Sequence, residues 1–129
     1  MNELLEVDRL RNDSALFDEK FNNLKNFYSF FSEKDVYDFI KIHPGIIVLL
    51  NRFEPCLREY FPNAVFELKF VQDLSGTWFD LITLNIWVDE YTFNNGSADN
   101  IRSLNREFWP LRNKLGLLGE VLLSKRILK

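Results

Sequence analysis

Residues 15–31 place Phe17, Phe21, Leu24, Tyr28 and Phe31 at steps of four, three, four and three, the spacing of one helical face. This predicts a helix through that stretch, started by Asp13 or Ser14 as N-cap, with Leu4, Leu5 and Leu10 in an earlier turn or in the same long helix. A stripe of this size left bare would be a large apolar patch, so the arm 1–31 is expected to fold back on its own domain. Ser32-Glu33-Lys34-Asp35 has the outline of a capping box and opens a helix presenting Val36, Phe39 and Ile40. Pro44 closes that helix and suits the first turn of the next, which runs through Ile46, Ile47, Leu49, Leu50 and Phe53. Pro55 lacks an N–H and predicts a kink or restart, with a last piece from Cys56 to Phe61 that stops at Pro62.

The period then changes from helix to strand. Phe66, Leu68 and Phe70 alternate with Glu67 and Lys69, and Gln72–Thr77 has the composition of a turn. Trp78–Val88 predicts a second strand with Ile82, Leu84, Ile86 and Val88 towards the core and Thr83, Asn85 and Trp87 on the other face. The two strands are expected to pair as an antiparallel hairpin. Asn94-Asn95-Gly96 is a turn, Ser97 an N-cap, and Ile101, Leu104 and Phe108 a helix face that Pro110 ends or bends. The favoured reading of Gly119–Leu123 is a third strand, with a helical segment as the alternative. Helices followed by strand–strand–helix–strand give an α+β domain: one small antiparallel sheet with helices packed on one face.

Length fits one domain, 1–129, that needs no disulfide or metal to be stable. Thirteen Phe, four Tyr and three Trp imply a core built from rings. One cysteine excludes an internal disulfide, the opening Met1-Asn2-Glu3 lacks the basic-then-apolar pattern of a secretory signal, and Ile46–Leu50 is too short to cross a bilayer. A cytoplasmic protein without membrane contact is the expectation. The net charge of −3 is uneven: residues 1–63 carry −3, 64–99 carry −5 and 100–129 carry +5. Opposed segments of this kind either neutralise each other in the fold or face a charged partner.

From about Asp35 to Leu123 the chain resembles a group of small uncharacterised α+β proteins of bacteria and archaea. The resemblance rests on the helix entering His43-Pro44, the junction Arg58-Glu59-Tyr60-Phe61-Pro62-Asn63-Ala64, the long apolar strand after a short turn, the helix ending in Phe108-Trp109 and the apolar strand near the end. That group has no established activity and hence no catalytic residues to carry over. It usually lacks an aromatic arm such as residues 1–31.

Catalytic constellations are absent from the sequence. His43 is the sole histidine, beside Pro44, and reads as part of a helix junction; no Gly-x-Ser-x-Gly elbow accompanies it. Cys56, among Phe53, Leu57 and Tyr60, reads as a buried thiol. Asp73, Asp80, Asp89 and Glu90 stand at strand ends, where carboxylates can hold Mg²⁺ for a hydrolase or nuclease, but they divide between the two ends of the hairpin. No glycine spacing matches a phosphate loop, and Gly116-Leu117-Leu118-Gly119 lacks the basic character of an RNA clamp. No cofactor is expected. The preferred reading is therefore a non-enzymatic protein-interaction module, with an accessory or inhibitory subunit as one form of it, in which Trp78, Trp87, Asp89, Glu90 and Trp109 face a partner of basic character, and with a homodimer as another. The alternative is a nucleic-acid-binding domain using Arg102, Arg106, Arg112 and Lys114, with Trp109 among them and Lys125, Arg126 and Lys129 beyond. One His and one Cys cannot close a structural metal site. Protein purified without added metal is accordingly expected to contain no stoichiometric zinc or manganese, which elemental analysis checks.

Overall fold

A computed structural model describes residues 2–73 and 80–128. Two helices open the chain, α1 (Glu3–Asn12) and α2 (Ser14–Asn23), each started by a side-chain cap. Asn2 accepts from the Leu4 N–H, and Asp13 accepts from the Leu16 N–H at 3.0 Å. The aromatic stripe does not continue as helix to residue 31. A short 3-10 turn at Leu24–Asn26 ends it, and Ser29–Phe31 forms strand β1. The run Phe27-Tyr28-Ser29-Phe30-Phe31 is rich in strand-favouring rings and sits behind Asn22, Asn23 and Asn26, which are weak helix formers. The switch of period explains the fate of the stripe: Phe17, Phe21, Leu24 and Tyr28 are buried, whereas Phe31 lies on the opposite side of β1 from Phe30 and is 54% exposed.

Helix α3 (Glu33–Ile42) follows Ser32, which takes a left-handed backbone (φ +58°) and donates from its hydroxyl to Asp35 at 2.8 Å. Helix α4 (Gly45–Tyr60) is the centre of the molecule. Every residue from Gly45 to Leu50 is buried, as are Phe53 and Leu57. Gly45 permits a close approach, since a Cβ there would stand 3.4 Å from the Leu117 side chain and 3.6 Å from that of Val7. Pro55 neither ends nor restarts the helix, and Pro110 likewise lies inside α6. Both prolines are exposed, as are Asn51 and Arg106 one turn earlier, so the carbonyls they leave without a helical partner are open to water.

Strands β2 (Val65–Val71) and β3 (Leu81–Val88) pair antiparallel, with Leu68 opposite Leu84. Short helix α5 (Glu90–Asn94) and long helix α6 (Ser97–Leu115) lead to β4 (Val121–Ile127). Ser97 is not the cap: Gly96 holds that position at φ +92°, and the buried Ser97 hydroxyl donates back to the Phe93 carbonyl at 2.5 Å. The sheet has the order β1-β2-β3-β4 and is mixed. Only its central pair is antiparallel; β1 runs parallel to β2 and β4 parallel to β3. The expectation of an all-antiparallel sheet fails because helices join β1 to β2 and β3 to β4, and they carry the chain back to the opposite end of the sheet, so that the next strand runs parallel. Trp78 and the other residues of 74–79 lie outside the described residues.

One core joins both layers. It is ring-rich, with Phe17 and Phe21 against Tyr37, Phe21 on Phe30, Phe27 on Phe66, Phe39 on Phe70 and Phe53 edge-on to Phe108, at centroid distances of 4.6 to 5.5 Å. The Tyr28 hydroxyl is buried with them and donates to the Leu50 carbonyl at 2.7 Å. No described helix is long and apolar enough to cross a membrane.

Burial raises the Tyr28 phenol well above its ordinary value of 10.0. Above that pH the unfolded chain gives up this proton while the folded chain keeps it, so folding stability declines as pH rises further. Tyr28→Phe is expected to cost about 1–2 kcal/mol near neutrality, from the lost hydrogen bond, and to shrink that alkaline decline. Urea titrations of both proteins at neutral and alkaline pH measure the two effects.

Candidate functional site: the open face of the sheet

The strands expose two chemically different faces. Phe30, Phe66, Leu68, Ile82, Leu84, Ile86, Val88, Val121 and Leu123 point into the helical layer. The ring contacts of Phe30, Phe66 and Phe70 with the helical segment all lie on that side. Among the described residues no helix packs on the other face. Alternation puts Phe31, Val65, Glu67, Lys69, Val71, Leu81, Thr83, Asn85, Trp87, Leu122, Ser124 and Arg126 there.

This open face is apolar where solvent normally selects polar residues. Phe31 and Leu122 are each 54% exposed, Val65 is 49% exposed, and Val71 is also exposed. At its centre is a depression of about 400 Å³ bordered by Phe31, Glu67, Lys69, Asn85, Trp87 and Arg126, among others. Glu67 organises it. One carboxylate oxygen accepts from the Asn85 amide at 3.1 Å and from the Trp87 indole N–H at 3.3 Å. These bonds fix the Trp87 ring and orient the Asn85 amide, whose Oδ1 is buried without a hydrogen-bond partner. Lys69 lies over the Phe31 ring, 4.6 Å from its centroid. The Thr83 hydroxyl donates to the Lys69 carbonyl at 3.3 Å and is absorbed by the sheet.

Among the described residues singled out from sequence as facing a partner, only Trp87 belongs to this surface. Asp89 caps α5, accepting from the Thr92 N–H at 2.6 Å, and that bond holds its carboxyl below the ordinary value. Glu90 is exposed in the first turn of the same helix. Trp109 is 55% exposed on α6, in the helical layer and away from Trp87. The expected acidic rim around an aromatic centre is therefore corrected. Asp80 accepts from the Asp73 N–H at the far end of β3, Asp89 is committed to its cap, and the ionic groups beside Trp87 are Glu67, Lys69 and Arg126.

The basic third fares similarly. Arg112 is only 4% exposed and donates to the Val121 carbonyl at 2.7 Å and to the Leu117 carbonyl at 3.5 Å, tying α6 to the start of β4. Burial lowers its pKa, partly offset by Glu120. Lys114 pairs with Glu3 at 3.0 Å, Arg102 pairs with Asp99, and Lys125 lies over the Phe93 ring. Of the four arginine and lysine residues of the nucleic-acid alternative, Arg106 alone has neither burial nor an ion pair, which leaves no continuous basic stripe on α6.

The catalytic candidates are likewise separated. Among the described residues no group of three His, Cys, Asp or Glu can hold a metal ion. Asp80 and Asp89 flank the eight residues of β3, a span of about 25–30 Å. His43 packs on the Phe39 ring at the end of α3. Cys56 is half-buried, and burial together with the Glu107 and Glu59 carboxylates pushes its thiol pKa up, away from the reactive thiolate.

The sheet's open face escaped the sequence reading in part because Glu67 and Lys69 read as an ordinary wet strand face. The available signal was the outward set Val65, Val71, Trp87 and Leu122, which is too apolar for one. The chain matches no known protein family, no curated protein and no solved structure.

Arg112→Ala is expected to destabilise the fold by about 2–4 kcal/mol, because two carbonyl partners lose a charged donor inside the protein. Chemical denaturation checks this; unchanged stability would return Arg112 to the pool of available surface charge.

Proposed function

We propose that this chain is a non-enzymatic protein-binding domain whose docking surface is the open face of its sheet. The observation that carries the reading is the exposed apolar set Phe31, Val65, Val71 and Leu122 on the same open face as a fixed, half-buried Trp87, which Val65 adjoins. A soluble monomer gains nothing from leaving such a surface in water, and apolar patches with a polar border mark sites of association. Trp87 supplies a rigid aromatic anchor, held by Glu67 before any partner arrives, so little ordering remains to be done on binding.

Charge on the face favours a partner with carboxylates. Lys69 and Arg126 are the cations there, and one oxygen of Glu67 is taken by the Asn85 and Trp87 donors. This replaces the basic partner inferred from the acidic 64–99 segment. Catalysis finds no support in the dispersed titratable groups, and nucleic-acid binding finds little in an α6 whose cations, Arg106 apart, are buried or paired.

Full-length tagged protein expressed in its native host is expected to co-purify with a near-stoichiometric protein partner that survives nuclease treatment. Phe31→Asp combined with Val65→Asp introduces charge on the open face without touching the core, and is expected to reduce recovery of that partner at least tenfold, about 1.4 kcal/mol. Retention of the partner by a variant that melts like the parent would sink the proposal, as would release by nuclease.

A further inference from the structure

The two central strands of the open face are self-complementary. On β2 the outward residues read Val65, Glu67, Lys69, Val71: apolar, acid, base, apolar. On antiparallel β3 their neighbours read Trp87, Asn85, Thr83, Leu81: apolar, polar, polar, apolar. Both series are symmetric about the same point, the paired inward residues Leu68 and Leu84. Rotation by 180° about an axis lying over that pair, in the plane of the sheet and across the strands, exchanges Val65 with Val71, Glu67 with Lys69, and Trp87 with Leu81.

We infer that the partner docked on this face is a second copy of the same chain, packed sheet to sheet about that twofold axis. The inference rests on the reading that the open face is a protein interface and names its occupant. In this arrangement each Glu67 meets Lys69 of the other copy, and the symmetry makes that ion pair twice. Val65 packs on Val71 and Trp87 on Leu81, so apolar residues flank the charged row on both sides. Strands of the two sheets lie nearly aligned, about 10 Å apart, as in a sandwich with a common core. An isologous interface must carry its own complement on one surface, which an arbitrary mixed patch does not.

The size of the face sets the strength. Four strands at about 4.8 Å spacing and seven residues at about 3.3 Å rise cover a planar footprint of about 400 Å². Side-chain relief enlarges the contact, yet it falls short of the figure of about 800 Å² per partner that stable interfaces bury and belongs to the weak, transient class. The dimer is therefore expected to dissociate in the micromolar range rather than to be obligate.

Sedimentation equilibrium on the full chain, from about 1 to 500 µM, is the direct test. A monomer–dimer equilibrium with a micromolar Kd is expected. Lys69→Glu places two carboxylates opposite each other twice, and is expected to raise Kd at least tenfold. Adding Glu67→Lys to Lys69→Glu recreates the pair with its signs exchanged, and is expected to recover most of the affinity. Because Glu67→Lys also removes the bonds from Asn85 and Trp87, a second pair avoids that row: Val65→Glu dissociates the dimer, and Val65→Glu with Val71→Lys restores it. A monomeric parent over the whole range overturns the self-pairing, as does failure of both rescues in variants with parental circular dichroism melts. A monomeric parent whose native-host partner is still lost on Phe31→Asp with Val65→Asp overturns only the second copy as occupant. Retention of that partner overturns the wider reading as well.

Discussion

The fold depends on the burial of one helix. From Gly45 to Leu50 α4 offers no polar side chain, so it must be enclosed on every side. Neighbours supply that enclosure in turn: α1 and α2 from the N-terminal arm, α6 through Phe108 on Phe53, and Leu117 over Gly45. The arm is thus part of the core, and its aromatic stripe is spent on α3 and α4 rather than offered to a partner. A helix that is enclosed by helices and by one sheet face draws all the helical mass to that side. The opposite sheet face is left uncovered as a direct result.

Much of this was legible in the chain. Periods of 3.6 and 2.0 located α2, α3, α4, β2, β3, α6 and β4, and the outward placement of Trp87 followed from alternation alone. What failed did so for identifiable reasons. Tyr28 and Phe31 continue the helical spacing of Phe17 and Phe21 by coincidence, since strand-favouring rings take over after Asn26 and reverse the sides on which they point. Proline positions were overread, because a single missing hydrogen bond on a solvent face is small beside the apolar contact made by the opposite face of the same helix. The strand directions were missed because β1 was read as part of a helix and the path of the connecting helices was not considered; parallel neighbours need such a crossover.

The site was harder to see than the fold. Charge segments counted along the chain placed an acidic surface around the hairpin, yet those carboxylates are used locally. Asp89 closes a helix start, Asp80 receives a backbone N–H, and Glu67 secures Trp87 and Asn85. Arg112 shows the same effect with the opposite sign: in sequence it belongs to a basic run, and in space it is a buried fastener between α6 and β4. Linear charge counts cannot separate ions that face solvent from those that complete hydrogen bonds within the fold.

The mixed strand directions also govern how the molecule assembles. In β2–β3 the partners are close in sequence, whereas β1–β2 and β3–β4 join residues about 40 positions apart, and closing such long segments is what slows folding. Sequence separation alone therefore favours pairing of β2 with β3 ahead of both flanking strands. A β2–β3 pair without them leaves Phe66, Leu68, Ile82, Leu84 and Ile86 bare on one side and the Val65–Trp87 surface on the other, with unpaired backbone along both margins. A two-sided apolar ribbon of this kind is the species from which aggregates grow. Lys69, standing mid-strand between Phe31 and Thr83, then has a role in the nascent chain that the finished fold conceals: it is the one cation on β2 or β3 interrupting an otherwise adhesive ribbon.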